Sequence, residues 1–139
     1  MLTKTKIIFI CTGNACRSQI AHGLLQDMAS EKFEVFSAGS HPSRVHPMAV
    51  KVMEEIGIDI SYHRSNFVDD YLSNGINIVI TVCDNVNEIC PVFPGKVEKI
   101  HWGINDPFRG SSFDTSQIQS FRDTRDEIKE RIIKFVQNR

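Results

Sequence analysis

Four consecutive apolar residues, Ile7-Ile8-Phe9-Ile10, pass directly into Cys11-Thr12-Gly13-Asn14-Ala15-Cys16-Arg17-Ser18, and a helix-patterned segment follows at once. This succession leaves few architectures open. A short strand that is apolar at every position is covered on both faces, as in a parallel sheet flanked by helices. Behind it Ile20, Leu24, Leu25 and Met28 recur at helical spacing, with Ser18 as the candidate N-cap. Strand, tight loop and helix N-terminus together make an anion cradle. Gly13 relaxes the limits on backbone dihedrals, and the helix aims unpaired N–H groups and its positive dipole end above the loop. Arg17 adds a planar fork of donors suited to a tetrahedral oxyanion. Loop dipoles and guanidinium both favour a thiolate at Cys11. Cys11 is therefore the candidate nucleophile, and Thr12, Gly13, Asn14, Ala15, Cys16, Arg17 and Ser18 are the candidate oxyanion binders. The bland reading, a small buried cysteine standing by chance six positions before an arginine, is weighed against that context. A nucleotide loop is disfavoured because the Gly-Lys-Ser/Thr ending is missing.

The remaining pattern alternates strands with helices. Phe33 to Phe36 predicts a second strand that ends in a Ser37-Ala38-Gly39-Ser40 turn. Pro47 opens a second helix with Met48, Val52, Met53 and Ile56 on one face, and Gly57 stands at the expected left-handed cap. A short helix is expected around 67–72, a β-branched third strand over 76–82, and a loop over 83–95 that contains Pro91 and Pro94. A fourth strand is expected over 97–101, then an Asn105-Asp106-Pro107 turn. Phe121, Ile128, Ile132 and Phe135 form the buried stripe of a last helix whose charges face water. These elements predict an α/β fold in one three-layer domain over residues 1–139, a four-stranded parallel sheet flanked by helices. Ligand loops then gather at the carboxyl ends of the strands. The Cys11 loop, the Cys83 loop and the Asp106 turn fall on that one rim.

Charge and cysteine usage narrow the function. Sixteen Lys and Arg balance seventeen Asp and Glu, which gives no electrostatic reason to expect nucleic acid or an anionic membrane as partner. The apolar run after Lys4 and Lys6 is too short for a secretory signal, and no stretch approaches the ~20 apolar residues of a membrane span. A cytoplasmic location is expected, where four cysteines are chemical rather than structural. Their C-x4-C and C-x6-C spacings lack the closed pattern of a zinc site, so no metal is expected. Cys83 ends a predicted strand, as Cys11 does. With Cys90 in a proline-flanked loop, three thiols on one rim suggest a redox relay that carries two electrons outward, the alternative for Cys83 being a buried packing thiol. Cys16 is expected to fill space under the loop. Asp106 is either a turn-former before Pro107 or a general acid brought over the cradle. The five histidines show no ligand spacing and are expected in scattered surface roles.

Cys11-Thr12-Gly13-Asn14-Ala15-Cys16-Arg17-Ser18, Phe36-Ser37-Ala38-Gly39, Thr81-Val82-Cys83 with Cys90-Pro91, and His101-Trp102-Gly103-Ile104-Asn105-Asp106-Pro107 together resemble the thioredoxin-coupled arsenate reductases. Those enzymes share the low-molecular-weight tyrosine phosphatase fold. The resemblance implies that Cys11 attacks arsenate held by the loop and Arg17, while Asp106 protonates the leaving oxygen. It further implies a transient Cys11–Cys83 disulfide, its transfer to Cys83–Cys90 with rearrangement of residues 84–89, and reduction by thioredoxin. No cofactor is implied, phosphate or sulfate would compete, and a monomer is expected. A weak phosphatase side activity is also implied, and the alternative is a low-molecular-weight protein tyrosine phosphatase, which needs only Cys11, Arg17 and Asp106. Ala15 stands where the reductases often carry serine. Some relatives hold potassium beside the loop. Asn14 and Ser37 match that set, but His22 and Asn66 stand where its carboxylates would be, so no potassium site is expected.

Overall fold

Four strands lie parallel in the computed structural model, which describes residues 3–83, 92–107 and 117–139. They are β1 (Thr5–Cys11), β2 (Phe33–Gly39), β3 (Ile78–Thr81) and β4 (Glu98–His101), in the order β2-β1-β3-β4. Ile7, Ile8 and Phe9 of the central β1 have no exposed surface, which accounts for a run without polar alternation. Ile10 pairs with Ala38 on one side and Thr81 on the other. Cys11 and Cys83 therefore leave neighbouring strands at the same carboxyl end.

Three helices, α1 (Arg17–Ala29), α2 (Pro47–Glu54) and α3 (Ile118–Gln137), build the larger core. Ile20, Leu24, Leu25, Met53, Ile128 and Ile132 meet Ile7 and Phe9 there. On the other face Ile8, Ile10 and Val79 pack with Phe93 and Val68, the latter from a 3-10 turn, Val68–Tyr71. The α/β sheet architecture expected from the alternating pattern is thus present. No helix among the described residues is long and apolar enough to cross a membrane.

Several expectations change in detail. β2 runs through Ser37, Ala38 and Gly39, which pair with Phe9, Ile10 and Cys11 instead of turning away. Those small residues end the strand because the loop crosses there: a Cβ at Gly39 would stand 2.5 Å from the Thr12 carbonyl oxygen. β3 is shorter than expected, although Val82 N–H still reaches the Ile10 carbonyl at 2.8 Å. The short helix is a single 3-10 turn. Ser18 is not the cap of α1. Cys16 holds that position, and Ser18 is buried inside the first turn. The stripe of α3 is buried as expected, joined by Arg125, which donates to the Val52 carbonyl and to Glu55, both at 2.8 Å. Of the expected loop over 83–95, residues 84–91 lie outside the described residues.

Candidate active site

The loop after β1 is shaped by what happens to its carbonyls. His41 N–H donates to Thr12 O at 2.8 Å, Ser43 N–H to Gly13 O at 3.0 Å, and His46 N–H to Ala15 O at 2.8 Å. Asn14 O receives the Ser65 hydroxyl at 2.7 Å and Gln19 Nε2 at 3.1 Å. All four carbonyls are held from outside. Across a trans peptide the N–H opposes the C=O, so the N–H groups of Gly13, Asn14, Ala15 and Cys16 turn the other way. This is the arrangement of a backbone anion nest. Asn14 supplies the bend with a φ of +48°, a conformation that asparagine tolerates better than most residues. Its buried side chain is pinned at both ends, Nδ2 donating to Ser18 Oγ at 2.7 Å and Oδ1 accepting Asn66 N–H at 2.9 Å.

Cys11 forms the floor, buried, with its Sγ 2.9 Å from Ser18 Oγ. Ser18 already accepts from Asn14, so when the sulfur is a thiolate the single serine proton points at it. Arg17 is buried behind the loop. Its Nη1 donates to Ile104 O at 2.9 Å, and its Nη2 lies 3.8 Å from Asp106 Oδ2. The Asp106 side chain is 45% exposed and stands at the rim. Cys83 is buried, and its carbonyl accepts Ile104 N–H at 3.3 Å. The predicted rim residues Cys11, Arg17, Cys83 and Asp106 are thus brought to one end of the sheet, with the Ile104 peptide joining three of their segments. Cys90 lies outside the described residues. Burial pushes the Cys16 thiol well up, helped by Cys11 and Asp106 and opposed by Arg17. That side chain belongs to the packed core.

The histidines correct an expectation. His46 is buried, and His22 and His63 are half-buried and hydrogen-bonded instead of scattered on the surface. His46 accepts Met48 N–H through Nδ1 at 3.0 Å and lies against the Phe121 ring. The His22 ring packs on His63 with centroids 4.5 Å apart, and its Nδ1 is 2.8 Å from Ser37 Oγ. Burial, then the charge of His63, pushes His22 down to about 4. His63 Nδ1 stands 2.9 Å from Gln19 Oε1, an acceptor only, so that nitrogen carries the hydrogen. Gln19, Ser65 and the 41–46 segment were missed from sequence. Pro47 at the first helical position was a usable signal for His46 as a cap. Nothing local marks Gln19 or Ser65.

Among the described residues, no group of three or more His, Cys, Asp and Glu is placed to hold a metal ion. What the site can do follows from its parts: bind a tetrahedral oxyanion against N–H groups and a guanidinium, present a sulfur nucleophile beneath it, and deliver a proton from the rim. Fold and site together define an α/β domain with a cysteine at the floor of an anion-binding loop.

The chain belongs to the low molecular weight phosphotyrosine protein phosphatase family, whose pattern matches residues 6–138. An arsenate reductase of Halalkalibacterium halodurans is 40% identical over 136 residues, 98% of each chain. The structure is similar to that of an arsenate reductase in the phosphate binding state, with a TM-score of 0.82 and 32% identity over 96% of this chain and 98% of the other. It is also similar to a Corynebacterium glutamicum thioredoxin-dependent arsenate reductase, with a TM-score of 0.75 and 32% identity over 97% of this chain and 61% of that one.

Proposed function

We propose that this chain reduces arsenate to arsenite with thioredoxin as the electron donor. The observation that carries this reading is a buried free thiol, Cys83, just past the end of the strand beside β1 and tied through Ile104 to the arginine of the anion loop. Hydrolysis of a phosphate ester by Cys11 needs no second thiol. The arsenate reductases among the relatives and similar structures support the same reading.

In the proposed reaction the Cys11 thiolate attacks arsenic, and an oxygen leaves as water with a proton from Asp106. Arg17 and the loop N–H groups hold the remaining oxygens. Cys83 then attacks the Cys11 sulfur. A sulfur–sulfur bond forms, the arsenic–sulfur bond breaks, and its electron pair stays on arsenic, which departs as arsenite. The two sulfurs have lost the two electrons that arsenic gained. Cys90 next displaces Cys11 from Cys83, and the dithiol of thioredoxin reduces the Cys83–Cys90 disulfide. Each cycle starts from free thiols, which fits a cytoplasmic setting. Phosphate and sulfate compete for the cradle, and a slow hydrolysis of aryl phosphates accompanies the reduction because Cys11, Arg17 and Asp106 suffice for it.

The test is arsenate-dependent NADPH oxidation with thioredoxin and thioredoxin reductase, on the wild type and on Cys90→Ser. Turnover by the wild type, with the variant stopping after about one equivalent of arsenite, is the expected result. No arsenate-dependent turnover beside intact aryl phosphate hydrolysis would instead assign a phosphatase.

A further inference from the structure

The chemistry above leaves residues 41–46 unused, yet their backbone ties down the cradle through the bonds to Thr12, Gly13 and Ala15. His41, Pro42, Ser43 and Arg44 are exposed, whereas His46 is 8% exposed. The strap therefore has one buried end. There the imidazole lies 4.8 Å from the Phe121 ring of α3, with its Nε2 sealed from solvent. Pro47 has no N–H, so Met48 carries the first amide of α2 that needs an acceptor, and His46 Nδ1 provides it. That acceptance requires the neutral ring with its hydrogen on Nε2. One residue thus joins α2, α3 and the anion loop.

We propose that His46 is a positioning residue for the oxyanion site: by capping α2 through Nδ1 it holds the 41–46 strap where its N–H groups turn the carbonyls of Thr12, Gly13 and Ala15 away from the anion. The role rests on the reading of the Cys11 loop as an oxyanion site. With a slack strap those carbonyls tilt back, and the negative ends of their dipoles face the ligand instead of the N–H groups. Two charged groups act on the ring, Asp106 favouring the imidazolium and Arg44 opposing it, while α3 presents the Phe121 ring. Burial is the largest influence and pushes the His46 pKa down. A proton on Nδ1 would replace the acceptor with a donor and release the cap.

Calorimetric titration of the reduced protein with sulfate tests this from about pH 8 to about pH 5, because sulfate keeps its charge over that range and its binding needs no turnover. His46→Asn, which restores a capping acceptor that does not titrate, is expected to bind within about twofold of the wild type at neutral pH, and His46→Ala about fivefold more weakly. Toward the acid end the wild type is expected to lose affinity relative to His46→Asn. A cap serving stability alone would lower the unfolding midpoint of His46→Ala without moving sulfate affinity, and that result overturns the role. So does a folded His46→Asn that binds sulfate about fivefold or more weakly than the wild type at neutral pH, a comparison that stands even if the alanine variant does not fold. A wild type that binds no sulfate removes the cradle and this role with it. Intact sulfate binding without arsenate turnover overturns the reductase reading and leaves the role of His46 in place.

Discussion

The Arg17 guanidinium donates from Nη1 to the carbonyl oxygen of Ile104 at 2.9 Å, so the arginine of the loop after β1 is fastened to the segment that carries Asp106, the proposed acid. Asp106 follows two residues later, and Ile104 N–H reaches back to Cys83 O at 3.3 Å. Arg17→Lys keeps the charge but replaces a planar fork with a point donor that cannot hold a carbonyl and clasp an oxyanion together. Steady-state assays should show kcat/KM for arsenate lower by about 10²-fold or more, with far-UV circular dichroism unchanged.

Ser18 ties the nucleophile to the bend of the loop, 2.9 Å from Cys11 Sγ and 2.7 Å from Asn14 Nδ2. Ser18→Ala takes the thiolate's hydroxyl donor and strands a buried amide hydrogen. Urea unfolding should register a loss of about 1–3 kcal/mol. Turnover should fall by about tenfold or more, since the attacking Cys11 thiolate loses its hydroxyl donor.

A methyl group at Gly39 would stand 2.5 Å from Thr12 O and 2.8 Å from both Asn14 N and Cys11 O. All three are backbone atoms, so the cradle itself must shift. Gly39→Ala is expected to cost about 1–3 kcal/mol of stability and to abolish measurable arsenate reduction. Gly95→Ala is the contrast. Its φ of +87° disfavours alanine, but nothing lies within 4 Å of the new carbon, so about 1 kcal/mol should be lost with turnover retained.

His22 makes stability depend on pH in a definite window. Its folded pKa is lowered from 6.5 to about 4, so below 6.5 the unfolded chain takes the proton first. The contribution is complete above 6.5, declines as pH falls toward about 4, and is then exhausted, about 3 kcal/mol in all. Urea midpoints at neutral and mildly acid pH should show a shallower decline for His22→Gln than for the wild type. Glu55, lowered from 4.5 to about 2 chiefly by the Arg122 hydrogen bond, acts in a separate and lower window. Glu55→Gln should alter the pH dependence below 4.5 and not above it.

Local patterns exposed much of the fold. Ile7 to Ile10 read as a buried strand, Pro47 as a helix start, and the stripe from Phe121 to Phe135 as the inner face of the last helix. Each depends on near neighbours, where spacing alone sorts apolar from polar faces. The same patterns misplaced the end of β2, because Ser37 and Gly39 read as a turn by composition. Gly39 is small for another reason, the crossing of the loop, and the Ser37 hydroxyl meets His22 Nδ1 at 2.8 Å. Ser18 was misread as a cap because a serine before a helical stripe carries the same signal whether its hydroxyl serves its own helix or a sulfur seven residues earlier.

Cys11, Gly13 and Arg17 carry their chemistry in their order: a thiol at a strand end, a residue that lets the backbone bend, a guanidinium at a helix start. The proposed nucleophile and anion site, and the α/β architecture, follow from that short stretch because its interactions are local. The direction in which each loop carbonyl points does not. That is set by His41, Ser43, His46 and Ser65, up to 51 residues away along the chain. Hydrogen bonds are short and directional, and no spacing rule relates such partners until the parallel register of β1, β2 and β3 brings their loops to the same end of the sheet.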